Sequence, residues 1–142
     1  MNQLSGCFKK ILIDDLPFIV DPNGLDPLET RKKMREYVDK KYADDMTYDV
    51  ILALSANEKF KDLDSSVDGR FGVSAVGGAC ADNELITIVV HDLGQFSGVK
   101  TAVHHFSHML GSYHDGEESN KKCCSSQGDV MSMYVYDQES LD

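Results

Sequence analysis

The sequence predicts an α/β domain in which a small twisted mixed sheet carries one capped helix and sits above a second helix with metal-ligand spacing. Three observations lead there. The runs 48-YDVILAL-54 and 84-ELITIVV-90 have the length and β-branched composition of strands. The tetrapeptide 26-DPLE-29 marks a helix start. From Val99 onward the apolar period lengthens from two to about 3.6 residues. With 142 residues, 42% of them hydrophobic and 27% charged, the chain suits one domain with one packed core and not a disordered or fibrous polymer.

Taken in order, residues 8 to 20, FKKILIDDLPFIV, read as a strand interrupted at Pro17, which belongs at an edge or bulge. A helix follows over 27 to 41. Asp26 caps it, Pro27 suits its first position, Glu29 completes a capping box, and Met34, Tyr37, Val38 and Lys41 continue one face. The run 48 to 54 is short enough to be a buried strand, and the polar stretch 57 to 70 is a loop. GVSAVGG at 72 to 78 and ELITIVV at 84 to 90, with Asp82 and Asn83 between them, form an antiparallel hairpin.

In the last helix Val99, Ala102, Val103, Phe106, Met109 and Leu110 trace one apolar face, with His104 and His108 on the opposite one. Gly111 stops the helix, because a residue without Cβ enters the left-handed conformation without strain. From Asp115 to Asp129 the chain is polar loop.

A formal charge of -10 argues against nucleic acid as a partner, because binding to phosphates needs clustered Lys and Arg. No apolar run is long enough to span a bilayer. The N-terminus lacks the features of a signal peptide, so if the protein is exported its signal is expected outside this chain. Cys7, Cys80, Cys123 and Cys124 fit no zinc-finger spacing and permit two disulfides in any of three connectivities.

Four of the five histidines fall within 104-HHFSHMLGSYHD-115. Residues at i and i+4 stand one helical turn apart, so His104 and His108 can converge on one ion. The turn at Gly111 returns the chain so that His114 supplies a third ligand. Three protein ligands leave a fourth position for water, the arrangement of a catalytic zinc site.

H-x-x-x-H-x-x-G-x-x-H-D resembles the zinc-binding sequence of the metzincin metallopeptidases with one position altered, and Asp115 after the third histidine resembles the reprolysin (adamalysin, ADAM-like) branch. The segment 129-DVMSMY-134 is similar to the family's methionine turn, with Met131 the better match and Met133 the alternative. YDVILALSA resembles the central strand and GVSAVGGAC the substrate-binding edge strand, as in short secreted arthropod salivary and venom metalloproteases; the resemblance covers about residues 10 to 136.

It implies a metzincin-like fold, Zn2+ held by His104, His108 and His114, and Asp115, Gly111 and Met131 supporting the site. It further implies an extended protein or peptide lying along Gly72, Val73, Ser74, Ala75, Val76 and Gly77, hydrolysis of peptide bonds, and secretion. It also implies one partial domain over 1 to 142, without the family's first strand and helix and without its C-terminal helix, whose cysteine pairs with the one matching Cys80.

His105 stands where the family carries its catalytic glutamate. That carboxylate takes a proton from the zinc-bound water and passes it to the leaving amine. The cation's field disfavours an imidazolium there, so the substitution implies impaired catalysis with zinc binding retained, or a pseudoprotease that binds proteins or peptides. Glu117 and Glu118, considered as replacement bases, read better as solvated surface charges.

Overall fold

A computed structural model describes residues 16–43, 48–56, 60, 71–81, 83–117 and 129–132. Its first elements are a minimal antiparallel pair, β1 (Val20–Asp21) and β2 (Gly24–Leu25), in the register Val20↔Leu25 and Asp21↔Gly24. The Asp21 carboxylate accepts from Asn23 N at 2.7 Å and tightens the turn between them. The strand expected over 8 to 20 is thus corrected: its residues 8 to 15 lie outside the described residues, and among the remainder only Val20 enters a ladder.

Helix α1 spans Pro27–Lys41. Asp26 is its cap, accepting from Glu29 N at 3.0 Å, and Tyr42 N closes the far end on Val38 O at 2.9 Å. The buried face is Pro27, Thr30, Arg31, Met34 and Val38. Both boundaries agree with the sequence, because proline at the first turn and a carboxylate cap are local signals that packing does not override.

The main sheet has three strands, β3 (Ile51–Ser55), β4 (Gly72–Val73) and β5 (Thr87–His91), in the order β3-β5-β4. β3 runs parallel to β5, from Ile51↔Thr87 to Ser55↔His91, and β4 runs antiparallel to it with Gly72↔Val90 and Val73↔Val89. The sheet is therefore mixed. β5, central and buried on both faces, is the near-continuous apolar run TIVVH.

One face of the sheet packs Val73, Ala53 and Val89 against Leu25, Met34 and Phe60 on the α1 side. The other packs Ile88 and Val90 with Ile86 against Met109 of helix α2, which spans Val99–Met109. Burying a side chain such as Met109 contributes roughly 1.5–3 kcal/mol. Of the expected loop 57 to 70, only Phe60 is described, buried and bridged to Leu25.

The hairpin is shorter than its alternating sequence implies. β4 leaves the ladder after Val73, and Gly77 N turns instead to the carbonyl of His108 at 2.8 Å. Short 3-10 turns at Gly78–Cys80 and Glu84–Ile86 occupy the connection. The edge strand expected over 72 to 78 is therefore a strand only at Gly72 and Val73.

The orientation of α2 also departs from the reading of its hydrophobicity. Thr101, His104, His105, His108 and Met109 face inward, while Val99, Val103, Phe106 and Leu110 are exposed. Of the predicted apolar face, Met109 and Ala102 pack inward, while Val99, Val103, Phe106 and Leu110 do not. Among the described residues no helix is long and apolar enough to cross a membrane. Cys80, the one described cysteine, is exposed and unbonded; the pairing of the other three lies outside the described residues.

Candidate metal centre

Helix α2 brings His104 and His108 onto one inward face, a turn apart. The helix then ends at Leu110, and Gly111, at φ 99°, takes the left-handed turn expected of it while its N–H donates to His108 O at 2.8 Å. The reversal carries His114 back alongside the helix. His108 Nε2 lies 3.0 Å from His104 Nε2 and 3.1 Å from His114 Nε2, and the remaining pair is 3.3 Å apart.

The opposite ring nitrogens determine what these three atoms are. His104 Nδ1 is 2.6 Å from Val130 O, and His108 Nδ1 is 2.7 Å from Ser112 O. A carbonyl only accepts, so each Nδ1 carries the proton. His114 Nδ1 is 3.1 Å from a Glu117 carboxylate oxygen, which likewise accepts. In the neutral rings all three Nε2 atoms therefore present lone pairs to one another, and no hydrogen bond can relieve three converging lone pairs.

A cation relieves them. Nitrogen ligands at about 2.0–2.1 Å from a tetrahedral ion stand about 3.3–3.4 Å apart, close to the separations seen here. The donor set thus fits a divalent ion with imidazole preference, and the cluster His104, His108 and His114 is one that could hold a metal. Burial holds the His108 imidazole below its ordinary pKa, keeping it in the ligand form; its bond to Ser112 opposes the shift, and the neighbouring His104 and His114 add to it.

The site is closed from beneath by residues 129–132. Val130 O orients His104, and Met131 O accepts from Asp115 N at 2.9 Å. Asp115 and Ser132 are buried there. Met131, singled out in the sequence, acts here through its backbone, and Met133 lies outside the described residues. The carbonyls of Val130 and Ser112 carry no side-chain signal and could not have been read from sequence. Glu117 could: its carboxylate stays partly exposed, as a surface charge would, yet it also meets both His114 Nδ1 and His114 N at 3.1 Å, while Glu118 is outside the described residues.

His105 lies beside the trio without joining it. Its ring is buried, its Nδ1 lies 2.9 Å from Ser74 Oγ, and its Cδ2 and Nε2 occupy the space that a Cβ on Gly72 would fill, 2.5 and 2.6 Å from that position. Burial first, then the neighbouring His104, His108 and His114 and the Arg31 guanidinium, push its pKa down to about 3. Of the expected edge residues, Gly72 and Ser74 therefore touch position 105, Val76 is exposed, and Gly77 bonds the helix end. The fifth histidine, His91, lies between the Phe60 and Phe71 rings and takes no part in the cluster.

A pH dependence follows. The folded His105 stays neutral while the unfolded ring takes a proton near 6.5, so the unfolded state binds more protons below that value. Stability is fully present above pH 6.5 and declines as pH falls toward 3. Metal-free protein is expected to lose about 2 kcal/mol through this group between pH 7 and 5. Denaturant midpoints for wild type and His105→Gln at both pH values measure it; equal pH sensitivity of the two proteins would show that the ring is not buried neutral.

Comparison with known proteins places residues 18–115 on the metallo-peptidase family M12B reprolysin-like model, a match over more than half of the chain. A Bombyx mori protein described as "A disintegrin and metalloproteinase with thrombospondin motifs like" is 30% identical over 101 residues, covering 60% of this chain and 15% of its own. Venom metalloproteinases 3 and 1 of Eulophus pennicornis are each 37% identical over 49 residues, 34% of this chain and 12% and 11% of theirs. The chain thus spans a small part of the length of these relatives.

Proposed function

From the chain's membership of the reprolysin-like M12B metallopeptidases, to which it belongs, we propose that it forms a single metallopeptidase domain, that its histidine trio holds Zn2+, and that its peptide-bond hydrolysis is impaired at position 105. The observation that carries this reading is the placement of position 105: a histidine whose buried ring is hydrogen-bonded to Ser74 and stands beside the trio without belonging to it. Bound at the trio, the ion would supply Lewis acidity toward a peptide carbonyl.

The chain's own residues supply the rest. His104, His108 and His114 bind through Nε2, and Val130 O, Ser112 O and Glu117 orient their rings. An extended peptide finds the outer edge of the sheet at β4, which among the described residues has a strand partner only in β5. The missing function is a base of suitable strength. Accepting a proton would turn the buried ring into an imidazolium, which burial disfavours and a nearby cation disfavours further, whereas a carboxylate there would become neutral.

The reading favoured is a zinc-binding domain that engages proteins or peptides and cleaves them slowly or not at all. The two venom relatives support an extracellular setting. Its test pairs two measurements on the intact chain, zinc content by elemental analysis and cleavage of a denatured protein with and without chelator. One equivalent of zinc with little chelator-sensitive cleavage is expected; rapid chelator-sensitive turnover would sink the impairment, and absence of zinc would sink the metal centre.

A further inference from the structure

His104 and His108 are held by a helix, but His114 stands in the irregular segment after Gly111, where the backbone imposes no single ring position. The turn that carries it is closed twice. Glu117 N donates to His114 O at 3.3 Å, and the Glu117 carboxylate reaches back so that one oxygen accepts from His114 N and the other from His114 Nδ1, each at 3.1 Å. Both oxygens serve one residue, tying ring to backbone.

We propose that Glu117 is a positioning residue for the metal centre, fixing the loop-borne ligand His114 in the tautomer and orientation that aim Nε2 at His104 and His108. This rests on the metal reading above. Glu117 does for His114 what helix α2 does for the other two ligands. It also differs in kind from their orienting groups, since Val130 and Ser112 offer neutral carbonyls whereas a carboxylate makes the imidazole a stronger donor and offsets part of the cation's charge. Its carboxylate meets the ring at the nitrogen opposite the converging Nε2 atoms, so it is neither a fourth ligand nor a substitute base.

The test is zinc affinity by competition with a chromophoric chelator, beside the absorption spectrum of the cobalt-loaded protein and the unfolding midpoint of the metal-free protein. Glu117→Ala is expected to weaken zinc binding about 10–100-fold and to alter the cobalt spectrum, with the metal-free midpoint unchanged. Glu117→Gln, which turns one of the two acceptors into a donor, should fall between Ala and wild type. Affinities in either variant equal to wild type would overturn the proposal, as would a metal-free midpoint lowered in step with the affinity. Failure of wild type to bind zinc would instead overturn the metal centre itself.

Discussion

Replacing His105 with glutamate is expected to raise chelator-sensitive cleavage of a denatured protein about 10²–10⁴-fold over wild type, the usual contribution of a positioned general base. The position is well placed for it. The His105 ring centroid lies 5.2 Å from that of His104 and 6.0 Å from that of His108, so a carboxylate on the same Cα stands beside both helix-borne ligands. Gly72 leaves the space that a side chain here needs, and Ser74 Oγ can donate to a carboxylate as it now bonds the ring. Zinc content should be the same in both proteins. If the variant folds, binds zinc and still cleaves no faster, position 105 is not what limits hydrolysis.

His108→Ala should remove stoichiometric zinc. His108 Nε2 is the vertex shared by the two shortest separations in the cluster, and its loss leaves two imidazoles where a stable site needs three. If a zinc site is worth roughly 10–16 kcal/mol over its ligands, one of them represents about 3–5 kcal/mol, or at least a hundredfold in affinity. Equilibrium dialysis measures this directly, with His91→Ala as a control expected to retain zinc because His91 lies outside the cluster. Undiminished binding in the His108 variant would mean that the trio is not the site.

What could be read from the sequence was local. Asp26 and Pro27 located the start of α1, and Gly111 located the end of α2, because caps and left-handed turns depend on residues adjacent in the chain. The spacing of His104, His108 and His114 told which rings would meet, since helix pitch and one turn are enough to bring them together. Long-range facts were not legible. Hydrophobicity oriented α2 only in part: Met109 and Ala102 do pack inward, but the helix also points its histidines inward and leaves Val99, Val103 and Phe106 exposed. The length of β4 depended on a bond from Gly77 to the end of a distant helix, and the orienting carbonyls of Val130 and Ser112 belong to the backbone.

The bonds from Val130 and Met131 to His104 and Asp115 bear on how the centre assembles. They join segments far apart along the chain, whereas His104 and His108 come into register as soon as α2 forms. Loop closure between residues 115 and 131 carries an entropic cost that grows only logarithmically with length, yet it must be met before the ring of His104 is held. Helix formation alone therefore brings the two helix-borne rings together, while the bond that orients the His104 ring requires residues 129–132 to be in place. A single backbone cut between Glu117 and Asp129 would leave all three histidines on one fragment and is expected to loosen the His104 ring, whose orienting carbonyl lies on the other.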